Sequence, residues 1–353
     1  MTKIIINGDF LCRNLTGIER FAFEICKHLD SLIEKDKIGI YIPKNAKVIP
    51  DYNNIKVILS KKECKVFPLW EHFEFGKFVK KNKYIPLDFS NVTPLGTKGI
   101  VFIHDIYAKL YPQDFSRFRD KLINIYMCFM YKYAAKHAKL LLTVSEFSRN
   151  QIINTYKISK NKIYVIPNGW DHFKEIQSDD SIIKNNQKLQ EDFYFTLGSL
   201  SLRKNLKWVA EYAQNNPNEN FAISGKMLSG LVPHELEILK TLDNVILLGY
   251  VSDEQVKALM RSCKAFIFPS YYEGFGIPPL EALSCGAKII VSKTASLPEI
   301  YKSTAYYINP NDTNVNLNKL LLESVESPDE ILNSYTYKNA ANKFYKILQS
   351  KIK

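Results

Sequence analysis

Two glutamates, Glu273 and Glu281, stand with seven residues between them in the segment 268–282, which reads FPSYYEGFGIPPLEA. A glycine-containing turn separates them, and the two prolines after it suit the first turn of a helix. The backbone amides at 274–277 precede that helix, whose N-terminus carries partial positive charge and suits a phosphate. Carboxylates accept hydrogen bonds from the hydroxyls of a sugar and a ribose. The segment therefore predicts a nucleotide-sugar site, although its spacing equally fits solvated glutamates beside a simple chain turn.

Apolar strands must flank this turn and its helix. Segment 264–268 reads as the strand before the turn, Gly286 suits the end of the helix, and 288–292 reads as the next strand. The rest of the chain also alternates strands with helices, which predicts parallel sheets with helices on both faces. Further predicted strands lie at 4–6, 38–42, 99–103, 140–144, 163–166, 193–196, 220–224 and 245–248.

The alternation breaks at 167–170, and a polar stretch at 174–190 follows before strands resume. This stretch is predicted to be an interdomain linker. Helices are predicted at 17–32 and at 337–351, where the chain closes. The predicted fold class is α/β, with two doubly wound domains.

A pair of cations, Arg203 and Lys204, follows the first predicted strand of the second domain. Ligands bind at the carboxyl edge of doubly wound sheets, which is where this pair is expected to lie. Arg203 can fork onto two phosphate oxygens and Lys204 can act as a point charge, so together they could neutralise a diphosphate leaving group. The alternative is an exposed basic turn at the start of a helix.

The pairing of Glu273 with Glu281 resembles the Glu-x7-Glu motif of the retaining glycosyltransferases of family 4, and the resemblance extends over nearly the whole chain. It implies the GT-B fold, in which two Rossmann-like doubly wound domains face a central cleft and a C-terminal helix returns to the N-terminal domain. The implied acceptor-side domain is 1–172 plus a helix at about 335–353. The implied nucleotide-sugar-binding domain is 173–334.

By match of position, the resemblance gives Glu273 to the donor sugar, the amides after it to sugar and phosphate, and Glu281 to the ribose. The residues it implies for donor binding are Gly17, Ser199, Arg203, Lys204, Tyr250, Val251, Glu273, Gly274, Phe275, Gly276, Ile277, Leu280 and Glu281. The residues it implies for catalysis are His104, Arg203, Lys204 and Glu273. Those expected on the acceptor side are Arg20, Asp105 and Ser145.

Motifs in both domains carry these assignments. The segment 16–21 is similar to the family's loop between first strand and first helix, with one glycine where two are common. His104 and Asp105 end a predicted strand, where the family has a histidine near the donor sugar. Ser145 is a predicted helix N-cap, and capping alone would explain it. The segment 249–251 matches the family position whose backbone meets the nucleobase.

Composition describes an ordinary globular chain that is long enough for two domains, with 353 residues, 46% hydrophobic and 24% charged. No apolar run approaches the roughly 20 residues that span a bilayer, and the first residues read as a strand rather than a signal peptide, so a cytoplasmic location is expected. Six scattered cysteines form no CxxC pair, which predicts reduced, mostly buried thiols. Neither a protein-bound metal nor another cofactor is expected.

The net charge of +12 calls for an explanation. No nucleic-acid-binding signature accompanies it, so nucleic acid is not expected as a partner. Basic and aromatic residues crowd together at 61–84 and 117–139, which suits the inner, anionic face of a membrane, although a lysine-rich composition would also explain the charge. Within the second segment, a helical stripe is predicted to pack on the core. Its members are Leu122, Ile125, Tyr126, Phe129 and Tyr133.

The expected reaction is retaining transfer of a hexose-type sugar from a nucleotide-diphosphate sugar to a saccharide or polyprenyl-diphosphate-linked acceptor. The resemblance implies synthesis of cell-surface polysaccharide such as O-antigen or capsule. With no nucleophile assigned, front-face attack assisted by the leaving phosphate is favoured. The alternatives are a nucleotide-sugar epimerase or hydrolase on the same scaffold, and a noncatalytic sugar-nucleotide-binding protein. Sugar, base (UDP, GDP or dTDP) and acceptor stay open.

Overall fold

The structure is a computed structural model that describes residues 3–198, 201–225 and 237–352, so Ser199 lies outside the described residues. It divides into two compact units, one formed by Met1–Gly169 with Tyr335–Lys353 and the other by Trp170–Ser334. The boundary falls slightly before the one expected between 172 and 173. Each unit is built on a sheet whose strand pairs are all parallel.

The first unit contains a seven-stranded sheet in the order β3-β2-β1-β4-β5-β6-β7. Its strands are β1 (Ile4–Asn7), β2 (Ile38–Ile42), β3 (Lys56–Leu59), β4 (Ile85–Asp88), β5 (Ile100–Phe102), β6 (Leu140–Thr143) and β7 (Ile163–Val165). Most of them are buried, as in parallel sheets covered on both faces. The sequence pattern did not predict β3, which is a partly exposed edge strand, or β4, where Pro86 interrupts the pattern.

Helices connect these strands. They are α1 (Ile18–Asp30), α2 (Phe67–Leu69), α3 (Gly76–Asn82), α4 (Tyr107–Leu110), α5 (Phe118–His137) and α6 (Glu146–Tyr156). A single π-helical turn, Trp70–Phe75, continues α2 into α3. Such turns are rare and often lie at functional sites.

Helix α5 departs from the prediction that its apolar stripe packs on the core. Leu122, Ile125 and Phe129 are 52%, 65% and 52% exposed, whereas Tyr126 and Tyr133 are half-buried. The helix packs instead through a different face in its C-terminal half, where Met130, Tyr131, Ala134 and Ala135 are buried. Because α5 carries apolar residues on more than one face, its periodicity could not indicate which face is covered.

The second unit contains a six-stranded sheet in the order β10-β9-β8-β11-β12-β13. Its strands are β8 (Phe193–Leu197), β9 (Asn220–Ser224), β10 (Val245–Gly249), β11 (Ala265–Phe268), β12 (Ile289–Ser292) and β13 (Tyr306–Ile308), of which only β13 was not predicted. The accompanying helices are α7 (Ser181–Lys184), α8 (Leu206–Asn215), α9 (Asp253–Ser262), α10 (Ile277–Ser284), α11 (Leu297–Tyr301), α12 (Leu317–Leu320) and α13 (Asp329–Ser334).

The stretch 174–190 is not the predicted linker but a folded part of the second unit. Lys257 Nζ donates to the carbonyl oxygens of Phe173 at 2.9 Å and Ile176 at 2.7 Å. The backbone amide of Asp179 donates to the carbonyl of Glu254 at 3.1 Å. These bonds fasten the polar stretch to α9, which explains how a segment with little apolar surface is ordered.

The last helix, α14 (Tyr337–Lys351), returns to the first unit, as the GT-B resemblance implied. The ring of Tyr337 lies 6.2 Å from that of Phe21 on α1, and the ring of Phe344 lies 5.4 Å from that of Phe102 on β5. Tyr337 and Phe344 are both fully buried. Helix α14 at the end of the chain thus contributes side chains to the hydrophobic core of the first unit.

Two observations bear on membrane and redox chemistry. Within the described ranges, no helix combines the length and apolar character that crossing a membrane requires. All six cysteines are free thiols; Cys26 and Cys64 are buried and the other four are half-buried, so the prediction of mostly buried thiols was wrong.

Candidate active site

The topology of the second sheet brings the Arg203–Lys204 turn beside the turn that carries Glu273. Strands β8 and β11 are parallel neighbours, so the turns at their carboxyl ends share one edge of the sheet. The amide of Tyr271 donates to the carbonyl of Arg203 at 3.0 Å. Asn205 Nδ2 donates to the carbonyl of Pro269 at 3.1 Å. Two hydrogen bonds therefore hold the two turns together.

The three charged side chains form one ion cluster. Lys204 Nζ lies 2.8 Å from Glu273 Oε1, and Arg203 Nη1 lies 3.4 Å from Glu273 Oε2. Lys204 Nζ also stands 4.5 Å from the centre of the Phe268 ring, a cation–π contact. The sequence predicted all three residues for one ligand, and the structure brings them together.

The cluster fixes the ionisation of Glu273, which is 5% exposed. Burial alone would raise the pKa of this carboxyl group, but Lys204 and Arg203 outweigh burial and lower it. Glu273 is therefore a carboxylate at neutral pH. It can accept hydrogen bonds and neutralise cations, and it has no proton to donate.

Ser296 and Tyr301, which sequence reasoning missed, hold the glycine turn from behind. Ser296 Oγ donates to the carbonyl oxygens of Glu273 at 2.9 Å and Phe275 at 3.2 Å, and Tyr301 Oη donates to the carbonyl of Gly276. Since N–H and C=O point in opposite directions across a trans peptide, the N–H groups of residues 274, 276 and 277 point away from Ser296 and Tyr301. The turn thus has its carbonyls on one side and these amides on the other.

Gly276 cannot be replaced without distorting this turn. It is the N-cap of α10 with φ at 87°, in the left-handed region that side chains disfavour. A Cβ added there would lie 2.7 Å from Leu297 Cδ2. The backbone conformation therefore favours glycine at this position, and a larger residue would also displace the side chain of Leu297.

Glu281 has a partner that the sequence did not indicate. His172 Nε2, from the turn Asp171–Lys174, lies 3.3 Å from Glu281 Oε1, and the two side chains are 6% and 13% exposed. The proposed ribose ligand is therefore held in place by a histidine more than a hundred positions earlier in the chain. No local spacing could have signalled this pairing.

Two further donor-side predictions lie at the same sheet edge but outside the ion cluster. Tyr250 and Val251 follow β10, and β9 separates that strand from β8. Tyr250 is 72% exposed and Val251 is 8% exposed. Leu280 is fully buried, so its side chain belongs to the core and does not face solvent.

In the first unit, His104 lies at the carboxyl end of β5 and is 7% exposed. Its Nε2 lies 3.0 Å from the carbonyl oxygen of Phe89, and since that oxygen can only accept, Nε2 carries the proton and Nδ1 is the acceptor. Burial lowers the pKa of His104 to about 4, although the bond to Phe89 opposes the shift. The ring is neutral at pH 7 and could accept, but not supply, a proton through Nδ1.

The other first-unit predictions occupy turns and helix starts. Gly17 is the N-cap of α1 with φ at 52°, and Arg20 lies half-buried in the first turn of that helix. Asp105 Oδ1 accepts from the amide of Tyr107 at 2.9 Å. Ser145 Oγ accepts from the amide of Ser148 at 3.0 Å, which is the predicted cap of α6.

A buried group of carboxylates lies in the first unit, and sequence reasoning missed it as well. Asp9 follows β1, Asp88 ends β4, and Glu71 lies in the π-helical turn, each less than 5% exposed. Burial raises the pKa of Asp9 to about 6, although Arg13 Nη2 lies 3.3 Å from its carboxylate. Burial raises the pKa of Glu71, and the charges of Asp88 and Asp9 raise it further. Burial and the charge of Asp9 also raise the pKa of Asp88, although its hydrogen bonds with Asn7, Thr93 and Glu71 oppose the shift.

In the parts of the chain that the structure describes, no group of three or more His, Cys, Asp or Glu side chains could hold a metal ion. The prediction that no metal is bound stays a prediction.

Comparison with known proteins supplies the family. The model of Glycosyltransferase Family 4 matches residues 15–172, and the model of Glycosyl transferases group 1 matches residues 177–343. O-antigen chain mannosyltransferase B of Escherichia coli is 28% identical, with 92% of this chain and 91% of that protein covered. O-antigen chain mannosyltransferase RfbU of Salmonella typhimurium is 25% identical, with 88% and 87% covered.

Solved structures agree on the fold. HepE of Anabaena in complex with UDP and glucose has a TM-score of 0.69 at 16% identity, with 99% of this chain and 100% of that chain covered. At that identity the likeness concerns the fold alone. Since one family model matches each half of the chain and each unit contains a parallel sheet, the chain is a glycosyltransferase that belongs to glycosyltransferase family 4.

Proposed function

We propose that the protein transfers a hexose-type sugar, with retention of anomeric configuration, from a nucleotide-diphosphate sugar to a saccharide or lipid-linked saccharide. The observation that carries this proposal is the cluster in which Lys204 and Arg203 flank Glu273 at the carboxyl edge of the second sheet. One ligand that carries both phosphates and sugar hydroxyls would satisfy the cations and the carboxylate together.

The donor roles follow from the chemistry of each group. Arg203 and Lys204 take the diphosphate, and the amides of the turn at 274–277 bind the sugar and its adjacent phosphate. Glu273 accepts hydrogen bonds from sugar hydroxyls. Glu281, oriented by His172 at 3.3 Å, accepts from the ribose. The segment 249–251 meets the base through its backbone.

The residues of the second unit act on the leaving group. As the glycosidic bond to phosphate breaks, negative charge accumulates on the diphosphate, and Arg203 and Lys204 stabilise it more in the transition state than in the ground state. Glu273 is a poor general base because two cations hold its pKa low. Front-face attack, with the leaving phosphate assisting removal of the acceptor proton, requires no nucleophile from the protein.

In the first unit, His104 is proposed to approach the donor sugar as a neutral hydrogen-bond partner, since burial keeps its pKa near 4. Gly17 leaves room for a phosphate or acceptor at the start of α1, where a Cβ would meet nothing within 4 Å. Arg20, Asp105 and Ser145 are the proposed acceptor-side residues. No metal or other cofactor is needed for these steps.

The sugar and pathway are proposed from the relatives. Two relatives covered over most of their length are named O-antigen chain mannosyltransferases, which supports mannose as the donor sugar and O-antigen or a similar surface polysaccharide as the product. A polyprenyl-diphosphate-linked saccharide is the proposed acceptor. We place this activity at the cytoplasmic face of the membrane, where the basic first unit would contact anionic lipid. Nucleic acid is not proposed as a partner.

Thermal unfolding in the presence of UDP, GDP, dTDP and their sugars tests the donor site. One nucleoside diphosphate should raise the melting temperature, and GDP is expected if mannose is the donor. A donor-site assignment is untenable if none of them stabilises the protein. The anomeric configuration of the product, read by nuclear magnetic resonance, tests retention. Epimerised or hydrolysed donor without any acceptor would favour the epimerase or hydrolase alternative.

A further inference from the structure

A cavity of about 490 Å³ opens in the first unit, apart from the residues assigned above to donor and acceptor. It lies beyond the carboxyl ends of β2 and β3, and its size falls in the range of sites for small ligands. Five of the residues that line it are lysines, and all five are exposed. They are Lys44, Lys61, Lys62, Lys65 and Lys77.

The cavity also contains two carboxylates, but both have contacts within the protein. Glu63 Oε2 lies 3.3 Å from Lys65 Nζ. Glu74 Oε1 accepts from Tyr41 Oη at 3.0 Å. Five lysines against two glutamates leave the lining basic, and ammonium groups bind phosphate as mobile point charges. The charge of the cavity therefore suits a phosphate-bearing ligand.

The rim of the cavity is apolar and faces solvent. Val66, Leu69 and Phe73 line it and are 51%, 55% and 58% exposed. A soluble anion would gain nothing from this rim, whereas an amphiphile would bury it. Lysines beside exposed aliphatic and aromatic side chains are the composition of surfaces that lie in a lipid headgroup region.

A hydrogen bond links the π-helical turn that carries Phe73 to helix α5. His72 Nε2, in the same π-helical turn as Phe73, lies 3.1 Å from Tyr126 Oη on α5. Ile123 is exposed as well, but the other four exposed apolar residues of that helix recur every three or four positions, so these four share one face. They are Phe118, Leu122, Ile125 and Phe129.

The charges around the exposed face of α5 indicate what kind of partner could bind it. Between 117 and 136 the helix region carries five basic residues and one acidic residue, Asp120. The basic ones are Arg117, Arg119, Lys121, Lys132 and Lys136. A second copy would bring like charges together, whereas an anionic bilayer would attract them.

We propose that the lysine cavity binds the phosphate of an anionic phospholipid headgroup while Leu69, Phe73 and the α5 stripe enter the headgroup region of the bilayer. This deepens the membrane contact that belongs to the proposed function by naming its lipid class and its residues. Binding to lipid is measurable without donor or acceptor. A failure of the lipid site would therefore be distinct from a failure of the transferase assignment.

Co-sedimentation with vesicles tests the proposal, using phosphatidylcholine with and without phosphatidylglycerol at low salt. The full chain should sediment only with phosphatidylglycerol present. Each lysine near an anionic surface contributes about a fivefold change in affinity, so Lys61→Gln with Lys62→Gln should weaken binding roughly thirtyfold. Lys343→Gln with Lys346→Gln removes the same charge from exposed positions on α14 and should weaken it far less.

A second arm tests the apolar part. Ile125→Ser with Phe129→Ser should also release the protein from vesicles, and its melting temperature should stay near that of the parent because both side chains are exposed. The proposal fails if both lysine pairs weaken binding equally, since net charge would then suffice. It fails too if vesicles never bind the protein, if inorganic pyrophosphate but no vesicle stabilises it, or if the stripe instead drives dimerisation.

Discussion

Lys204 Nζ donates to Glu273 Oε1 at 2.8 Å, so two motifs 69 residues apart in the chain meet as one partly buried ion pair. Neither residue is independent of the other. A substrate phosphate that draws Lys204 toward itself also changes the charge balance around the carboxylate that faces the sugar. Donor binding and sugar positioning are therefore expected to be coupled, and mutations at the two positions should not be additive.

Replacing Glu273 and Glu281 separately by glutamine should separate sugar recognition from nucleotide recognition. Glu273→Gln is expected to lower the affinity for the donor sugar, or turnover, by about ten- to a hundredfold, because the sugar hydroxyls lose a hydrogen bond to a charged group. Nucleoside diphosphate does not make that hydrogen bond, so it should still bind. Glu281→Gln should weaken nucleoside diphosphate and donor alike. Isothermal titration with both ligands measures this. Equal effects of the two variants on the free nucleotide would contradict the assigned roles.

Replacing Lys204 by methionine should destabilise the second unit in a pH-dependent way. The variant keeps the side-chain stem but leaves buried Glu273 with Arg203 as its remaining partner in the cluster, which should cost about 3 kcal/mol in the free energy of unfolding at pH 7. Because the folded-state pKa of Glu273 is lowered, the stabilisation is present above the unfolded value of about 4.3 and is lost as the pH falls through the folded value.

Urea unfolding at several pH values measures that difference. The gap between parent and Lys204→Met should be widest near neutrality and shrink toward zero below about pH 4. Lys207→Met is a matched control, because Lys207 is 53% exposed and its Nζ lies 3.8 Å from Glu211 on the surface of α8. A gap that does not change with pH would mean that the lysine stabilises by packing rather than by charge.

Replacing His172 tests whether it orients Glu281. His172→Ala should weaken nucleoside diphosphate binding about tenfold, because the carboxylate loses the partner that fixes its rotamer. His172→Gln can still donate a hydrogen bond and should recover most of the affinity. Fluorescence titration of nucleotide provides the measurement. If alanine and glutamine behave alike at unchanged stability, the histidine does not position the ribose ligand.

The sequence allowed the donor side to be predicted because its residues lie in short, contiguous segments. Glu273, Gly276 and the cations at 203 and 204 each follow a strongly apolar strand, and parallel topology then requires those strand ends to share an edge. The residues that hold these site residues in place could not be predicted from the sequence. Ser296, Tyr301 and His172 come from turns and helices whose contacts depend on tertiary packing, and no spacing rule links them to the glutamates.

Prediction failed where two arrangements satisfy the same local pattern. The apolar residues of α5 fit burial against a core as well as exposure on a second face, and only packing through Met130 and Tyr131 decides between them. Asp9, Glu71 and Asp88 each look like ordinary surface carboxylates in the sequence. They are buried because the ends of β1 and β4 and the π-helical turn converge, a contact of long sequence separation.

Glu71 offers a test of that convergence, because its carboxyl group stays protonated on folding and this should oppose folding as the pH rises. Burial, and then the carboxylates of Asp88 and Asp9, raise its pKa well above the ordinary value. A group with a raised folded-state pKa contributes stability below its unfolded pKa, about 4.3, and that contribution is lost as the pH rises toward the folded value. Glu71→Gln should therefore leave stability near pH 4 almost unchanged and increase it at pH 8.

The expected gain accumulates at up to about 1.4 kcal/mol for each pH unit over which folded Glu71 holds its proton, and urea unfolding from pH 4 to pH 8 would measure it. The glutamine amide keeps the volume of the carboxyl group and an oxygen that can accept from Asn7 Nδ2, as Glu71 Oε2 does now. Glu74→Gln, in the same π-helical turn, is the matched control and should not be stabilised, because Glu74 is half-buried rather than fully buried and accepts hydrogen bonds from Tyr41 and Ser60. A Glu71 variant that loses stability at every pH would show instead that the charged carboxylate is what Asn7 and its neighbours require.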